Sequence, residues 1–256
     1  MIKKIYNLFK ILRKLSSSGA VEILDEIKPI PKILKFVFFI FSLGSSKKLE
    51  NLQKSSGEKL CQSLEDMGTT FIKLGQFLAT RPDIIGEEIA KKLEKLQDRL
   101  PAFSKDKAKK ILKKELGDNY FKNILFISEP VAAASIAQVH FAKIKIDNKE
   151  KELAIKILRP NIHYIFNEEL DALMFLAYLI ENIFKKTKRL KLVEVINLLK
   201  EITNVEMDLR FEAAAASELR ENTINDKGIK VPKIYWNYTS KEILTLDKIE
   251  GISIRE

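Results

Sequence analysis

The amino-acid sequence predicts an α+β protein, a helical first half followed by an antiparallel sheet with packed helices. Three observations predict this class. Residues 50–127 carry apolar side chains at helical spacing, and residues 131–158 switch to small and β-branched residues around a central turn. Two long helical stretches then separate that pair from two further strand-like segments, so the second half reads strand, strand, helix, helix, strand, strand. A length of 256 residues with 46% apolar and 31% charged residues suits one or two domains with a sizeable core.

Residues 1–15 place Ile2, Ile5, Phe9 and Leu12 on one helical face, while Lys3, Lys10, Arg13 and Lys14 project mostly to the other. Such a basic amphipathic helix suits an anionic membrane surface, and equally an ordinary surface helix docked on a domain. Lysines interrupt the apolar stretch, which argues against a signal peptide. Residues 33–43 are denser in apolar side chains, but the uncharged run from Phe36 to Ser46 is only 11 residues. A spanning helix needs about 20, so a buried or interfacial helix is expected, with Gly44 as its stop.

From Glu50 onward Leu52, Leu60, Leu64 and Met67 follow helical spacing. A second helix runs through Lys73-Leu-Gly75-Gln76 and ends before Pro82, because a residue preceding proline disfavours the helical region. Gly75 inside it costs about 1 kcal/mol relative to alanine, which predicts close packing against another element. Ile89, Leu93, Leu96 and Leu100 line the next helix, ended by Pro101. Ser104 then caps a helix with Ala108, Ile111, Leu112 and Leu116 inward and Gly117 at its stop.

Residues 131–146 and 151–158 are the first two predicted strands, joined by Asp147-Asn148-Lys149-Glu150. Helices are predicted at about 162–186 and 191–221, and strands at 231–236 and 242–249 around a turn at 237–241.

Composition excludes several functions. One cysteine, Cys61, rules out an intrachain disulfide and fits a reducing compartment, and two histidines are too few for a histidine metal cluster, so no metal site is expected. The net charge of +10 is uneven: residues 1–48 hold ten basic and three acidic residues. Lysines outnumber arginines 37 to 8, whereas arginine is preferred for bidentate phosphate and base recognition. No nucleic-acid-binding motif is present, and no nucleic-acid partner is expected.

The residues suited to chemistry cluster in the second half. Ala132-Ala133-Ala134-Ser135 permits close backbone approach to phosphates without bulky side chains, although it lacks glycines. Lys156 follows on the next strand, flanked by apolar residues, and either meets an anionic partner or snorkels to water at a strand edge. Glu206, Asp208 and Glu212 offer three carboxylates, with Asp208 and Glu212 sharing a helical face. Glu206 with Arg210 also reads as an ordinary surface helix pair. Alanines 213–216 would let a sheet approach. Lys73 and Gln76 are three apart on one face, and spacing alone favours a solvated pair.

Together these segments resemble the UbiB family of atypical protein-kinase-like proteins, linked to ubiquinone biosynthesis. Lys73-Leu-Gly-Gln76 is similar to the family's KxGQ signature, Ala132-Ala-Ala-Ser135 to its alanine-rich loop, Ala154-Ile-Lys156 to the kinase nucleotide lysine, and Glu206-Met-Asp208 to its ExD motif, with Glu212 where the lysine's partner belongs. The resemblance covers about residues 68–256. It implies a kinase-like small lobe at 128–256 ending near the hinge and a helical extension at 50–127 carrying KxGQ; residues 1–49 stand apart as the basic amphipathic and apolar segment suited to a membrane surface. It implies that Val131, Ala132, Ala133, Ala134, Ser135, Ile136, Ala137, Gln138 and Val139 cover ATP. Lys156 would hold its phosphates and pair with Glu212, and residues 244–251 would approach the hinge. Lys73 and Gln76 would lie over the pocket near Glu206 and Asp208, where a protein substrate would otherwise bind.

The sequence also departs from the family pattern. After Lys156 no aspartate is followed five residues on by asparagine, and no Asp-Phe-Gly occurs. The second lobe and catalytic base are missing, and magnesium is expected only if that lobe is supplied. These departures imply a truncated or split product, inactive alone. The expected setting is peripheral, on the cytoplasmic face of a bacterial inner membrane. Expected partners are a membrane surface, a complementing carboxy-terminal half, and ubiquinone-pathway proteins or lipids. The alternative is a non-catalytic membrane-peripheral scaffold or interaction module.

Overall fold

The computed structural model describes residues 2–27, 30–43, 55–94, 96 and 101–251. In chain order these form α1 (Ile2–Ser17), α2 (Ala20–Ile27), α3 (Lys32–Ser42), α4 (Ser56–Met67), α5 (Thr69–Ala79), α6 (Pro82–Ile85), α7 (Glu87–Leu93) and α8 (Lys105–Phe121). There follow β1 (Ile124–Ala133), β2 (Ala137–Ile146), β3 (Lys149–Leu158), α9 (Ile162–Ile183), α10 (Leu192–Glu206), α11 (Leu209–Asn222) and β4 (Ile243–Asp247). The chain divides into two compact units, Met1–Asp98 with His163–Glu201, and Arg99–Ile162 with Ile202–Glu256. These units cut across the sequence segments: α8 belongs with the sheet, and most of α9 and α10 with the amino-terminal helices.

In the helical unit, Leu12, Val21 and Phe38 form a small core that draws α1, α2 and α3 together. Lys14 does not keep to the basic outer face the sequence suggests. Its ammonium donates to the Met67 carbonyl at 3.0 Å and to the Glu169 carboxylate at 2.6 Å, and lies 5.6 Å from the Phe71 ring centroid. Helix α3 buries Phe38 while Ile33, Phe36, Phe39, Ile40 and Leu43 remain 47% to 67% exposed, so the helix is not the buried one of the two expected settings. Gly44, its expected stop, and Leu52 lie outside the described residues. Among the described residues no helix is long and apolar enough to cross a membrane.

Ser55 caps α4 in a reciprocal arrangement: its side chain accepts from the Glu58 amide and its amide donates to the Glu58 carboxylate. Helix α5 ends at Ala79, and Pro82 opens α6, where its missing N–H costs nothing. Gly75 meets the predicted close approach. A Cβ there would stand 2.3 Å from Leu96 Cδ1 and 2.7 Å from Leu64 Cδ1. Helix α7 is shorter than the apolar spacing suggests. It closes at Leu93, and Leu96 is buried just beyond it, so burial rather than helical register sets that spacing. Leu100 lies outside the described residues.

In the other unit, the sheet is antiparallel with order β1-β2-β3-β4. Ala108, Ile111 and Leu112 of α8 share a core with Ile127, Ala142, Ile144, Leu153, Ile155 and Ile157. Gly117 interrupts α8 at φ 70°, a conformation glycine takes without steric cost. β1 begins seven residues before the predicted start, so the alanine-rich loop is the connection between two strands rather than the entry to the first. Pro130 cannot donate to a ladder and sits at register shifts of this edge strand. The next turn is tighter than predicted: Asp147 and Asn148 take φ of 50° and 60° between the paired Ile146 and Lys149.

Two predictions in the last third are corrected. Residues 231–236 do not form a strand. Ile234 makes one isolated bridge to Leu246, and a 3-10 turn follows at Trp236–Tyr238. Pro232 has no amide to pair, which limits this segment to bridging. The helix expected over 191–221 is two helices, broken at Met207–Asp208. Asp208 adopts an extended conformation and caps α11, as a short carboxylate that competes with helix backbone is apt to do.

Candidate functional site

The site is built on β3. Alternation along the strand sends Leu153, Ile155 and Ile157 into the core under α8 and turns Lys156 to the opposite face. Lys156 pairs in register with Val139 on β2 and Leu244 on β4, so it stands mid-sheet rather than at an edge. Its ammonium donates to both carboxylate oxygens of Glu212 on α11, at 3.0 and 2.7 Å. The anionic partner that an apolar-flanked lysine requires is thus present. Both side chains remain open to water, 28% and 51% exposed, and such a pair adds about 0–1 kcal/mol to stability. Its value lies in where it holds the ammonium.

Helix α11 is anchored at its start. The Asp208 carboxylate accepts from the Arg210 amide at 3.2 Å and from its guanidinium at 2.9 and 2.6 Å, and the Leu209 amide donates to the Lys241 carbonyl just before β4. The Arg210 guanidinium holds the Asp208 carboxyl below the usual carboxylate value. Helical spacing had paired Arg210 with Glu206 and aligned Asp208 with Glu212. The break before α11 removes both relations, because Asp208 lies outside the helix. Of alanines 213–216 only Ala213 is buried; Ala214 and Ala215 face solvent.

The alanine-rich loop connects β1 to β2 at Ala134, Ser135 and Ile136, closed by the Ala134 amide donating to the Ala137 carbonyl at 2.8 Å. No residue in it takes positive φ, which explains why it needs no glycine. Val131 and Ala132 are exposed on β1, whereas Ser135, Ile136 and Ala137 are buried. The Ser135 hydroxyl is buried without a hydrogen-bond partner.

Gln138 is turned inward. Its amide donates to the Phe103 carbonyl at 3.1 Å and accepts from the Phe103 amide at 2.9 Å, and it also contacts His140 Nε2 at 2.8 Å. His140 Nδ1 donates to the Ser128 carbonyl at 2.9 Å, so Nε2 is the acceptor from Gln138. His140 is fully buried, and desolvation lowers its pKa below the ordinary histidine value. This network fastens the start of α8 to β2. Sequence reasoning did not find it, nor the role of Arg159, whose guanidinium donates to the carbonyls of Ala134 and Pro101. A lone buried histidine two residues from a glutamine is the signal that points to the network.

The structure therefore brings Lys156 and Glu212 together on the sheet face opposite the α8 core. Glu206 closes α10 just ahead of the capping Asp208. Lys73 and Gln76 lie on α5 in the helical unit, both partly exposed, with Gly75 packed inward between them. Among the described residues no group of three or more His, Cys, Asp or Glu is arranged to hold a metal ion.

Residues 95–256 match the ABC1 atypical kinase-like domain. The chain is 37% identical over 259 residues to a probable protein kinase UbiB of Histophilus somni, covering 100% of this chain and 46% of that protein. It is 35% identical over 234 residues to a probable protein kinase UbiB of Marinobacter nauticus, covering 91% and 42%, and 35% identical over 236 residues to one of Cellvibrio japonicus, covering 91% and 41%. The chain thus spans less than half the length of these relatives.

Proposed function

As the chain belongs to the ABC1 atypical kinase-like family that includes these UbiB relatives, we propose that its sheet unit binds ATP between the alanine-rich loop and Lys156. The observation that carries this reading is the Lys156–Glu212 pair on the open face of the sheet. The buried, unpartnered Ser135 hydroxyl in the loop fits a polar ligand, since such a group is costly to leave unsatisfied. Bound ATP would supply a transferable phosphoryl group. Lys156 would hold the phosphates, Glu212 would hold Lys156, and residues 131–139 would form the cover, with Gln138 supporting it from inside. Lys73 and Gln76 on α5 and Glu206 and Asp208 ahead of α11 carry residues similar to the family's KxGQ and ExD motifs, which favours ATP binding or hydrolysis tied to lipid-quinone synthesis over protein phosphorylation. A complementing carboxy-terminal half would be the source of magnesium ligands and a catalytic base. Calorimetric titration of the chain with ATP tests the reading. Binding lost at least tenfold in Lys156→Ala supports it, and equal binding by that variant refutes it.

A second reading is favoured by α3. Its exposed Ile33, Phe36, Phe39 and Leu43, with Lys32 at the helix start, suit the interface of an anionic bilayer. On this reading the chain is a peripheral protein at the cytoplasmic face of the inner membrane, near ubiquinone-pathway proteins or lipids, and acts there as a scaffold. Flotation with vesicles containing anionic lipid should depend on Phe36 and Phe39. Equal flotation by Phe36→Glu/Phe39→Glu, or none by the native chain, refutes it.

A further inference from the structure

Arg159 follows the second predicted strand of the sequence and would pass for a surface arginine before a proline. Its contacts show otherwise. Nε and Nη2 both donate to the Ala134 carbonyl, at 3.0 and 2.8 Å, and Nη1 donates to the Pro101 carbonyl at 2.9 Å. Its backbone amide donates to the Ile136 carbonyl at 2.8 Å, and its own carbonyl accepts from the Ile162 amide at 3.2 Å. One residue therefore grips the β1–β2 connection at two of its three positions and ties it to the segment leading into α8. Pro160 restricts the backbone of Arg159 to extended conformations, which fixes the base of this grip.

The peptide plane gives the grip a direction. In a trans peptide the carbonyl and the following N–H point to opposite sides, and no cis peptide bond occurs among the described residues. With the Ala134 carbonyl turned to Arg159, the Ser135 N–H faces away from it, and with the Ile136 carbonyl turned the same way so does the Ala137 N–H. A loop meant to receive phosphate must present amides and withhold carbonyls, whose partial negative charge repels an anion. Glycine-rich loops achieve this with left-handed backbone, and this loop has none.

We infer that Arg159 is the positioning residue of the alanine-rich loop: the Ala134 amide is spent on the Ala137 carbonyl, and Arg159 holds the Ala134 and Ile136 carbonyls so that the Ser135 and Ala137 amides are left to phosphate. The inference rests on the ATP-binding reading for its ligand but not for the loop geometry. A lysine cannot replace it fully, because one ammonium lacks the planar fork that reaches Ala134 twice and Pro101 once.

The test measures ATP affinity by calorimetry, amide hydrogen exchange across residues 132–137 without ligand, and the unfolding midpoint, in the native chain, Arg159→Lys and Arg159→Ala. The expected result is at least tenfold faster exchange confined to the loop and at least tenfold weaker ATP binding in Arg159→Ala, with a partial effect in Arg159→Lys. Loop exchange unchanged in the variants overturns the inference, as does faster exchange spread evenly over the sheet. If Arg159→Ala does not fold, Arg159→Lys carries the same criteria at threefold. A native chain that binds no ATP, yet shows the loop-confined exchange, refutes the nucleotide reading while leaving Arg159 as the loop's anchor. ATP bound equally by all three overturns the phosphate role alone.

Discussion

Substituting Gly75 by alanine adds one methyl group that meets the ends of two buried leucine side chains. The new Cβ would stand 2.3 Å from Leu96 Cδ1 and 2.7 Å from Leu64 Cδ1, well inside van der Waals contact. Both leucines are themselves buried, at 5% exposure each, so neither can swing into open space. Overpacking of this kind costs about 1–3 kcal/mol, and two simultaneous contacts argue for the upper part of that range. Alanine returns about 1 kcal/mol through its higher helix propensity. The net expectation is a loss of about 1–2 kcal/mol, or a fall in Tm of about 2–8 °C for a chain of this size. Urea unfolding followed by circular dichroism measures it. Adding Leu96→Ala to Gly75→Ala should recover part of the loss, giving non-additivity of about 1 kcal/mol. A Gly75→Ala chain as stable as the native one, with additive behaviour in the double variant, would refute the packing explanation for a glycine between Lys73 and Gln76.

Asp208→Ala should cost about 1–2 kcal/mol by removing the cap of α11, and Asp208→Asn, which keeps an accepting oxygen, should cost less; thermal unfolding of both variants checks this. Because the folded Asp208 pKa is depressed, its ionic contribution is present above the unfolded value near 3.8 and is lost as pH falls through the lower folded value; the native chain should show that acid dependence and Asp208→Asn should not. His140 is likewise depressed, so the unfolded chain takes up its proton first, and stability should decline as pH falls from above 6.5 toward the folded value. Unfolding midpoints between pH 7.5 and 5 should show that decline in the native chain and a flatter profile in His140→Gln. Lys156→Met should change stability by no more than about 1 kcal/mol, since its ion pair is open to solvent, and a larger change by urea titration would mean that the lysine supports the fold itself.

The sequence was most legible where one physical rule acted alone. Helical spacing located α1, α3, α4 and α8, and Gly75 betrayed a close contact because nothing else justifies a glycine there. Lys156 allowed two readings, an anionic partner or a strand edge open to water, and its pair with Glu212 in mid-sheet decides for the first. Reading failed where two rules competed. Asp208 fits helical spacing with Glu212, but its carboxylate is better used in capping. Residues 231–236 look like a strand by composition, yet Pro232 leaves them a single bridge. Lys14 counts as a basic surface residue until its two acceptors appear, 53 and 155 residues away. Arg159 and Gln138 were illegible for the same reason, since their acceptors are backbone atoms that no residue type advertises.

The alternation along β3 has a consequence for folding fidelity. Sliding this strand one residue against β2 would carry Lys156 in among Ile127, Leu112 and Ile144 and would turn Ile155 and Ile157 outward. An unpaired ammonium in that dry layer costs several kcal/mol, on top of the apolar contacts forfeited. The neighbouring frame is therefore strongly disfavoured, although residues 153–158 are otherwise a run of interchangeable aliphatic residues that would tolerate slippage. The lysine that faces Glu212 also works as a frame marker during assembly, and its replacement by leucine would remove a safeguard against misregistered sheets as well as a charge.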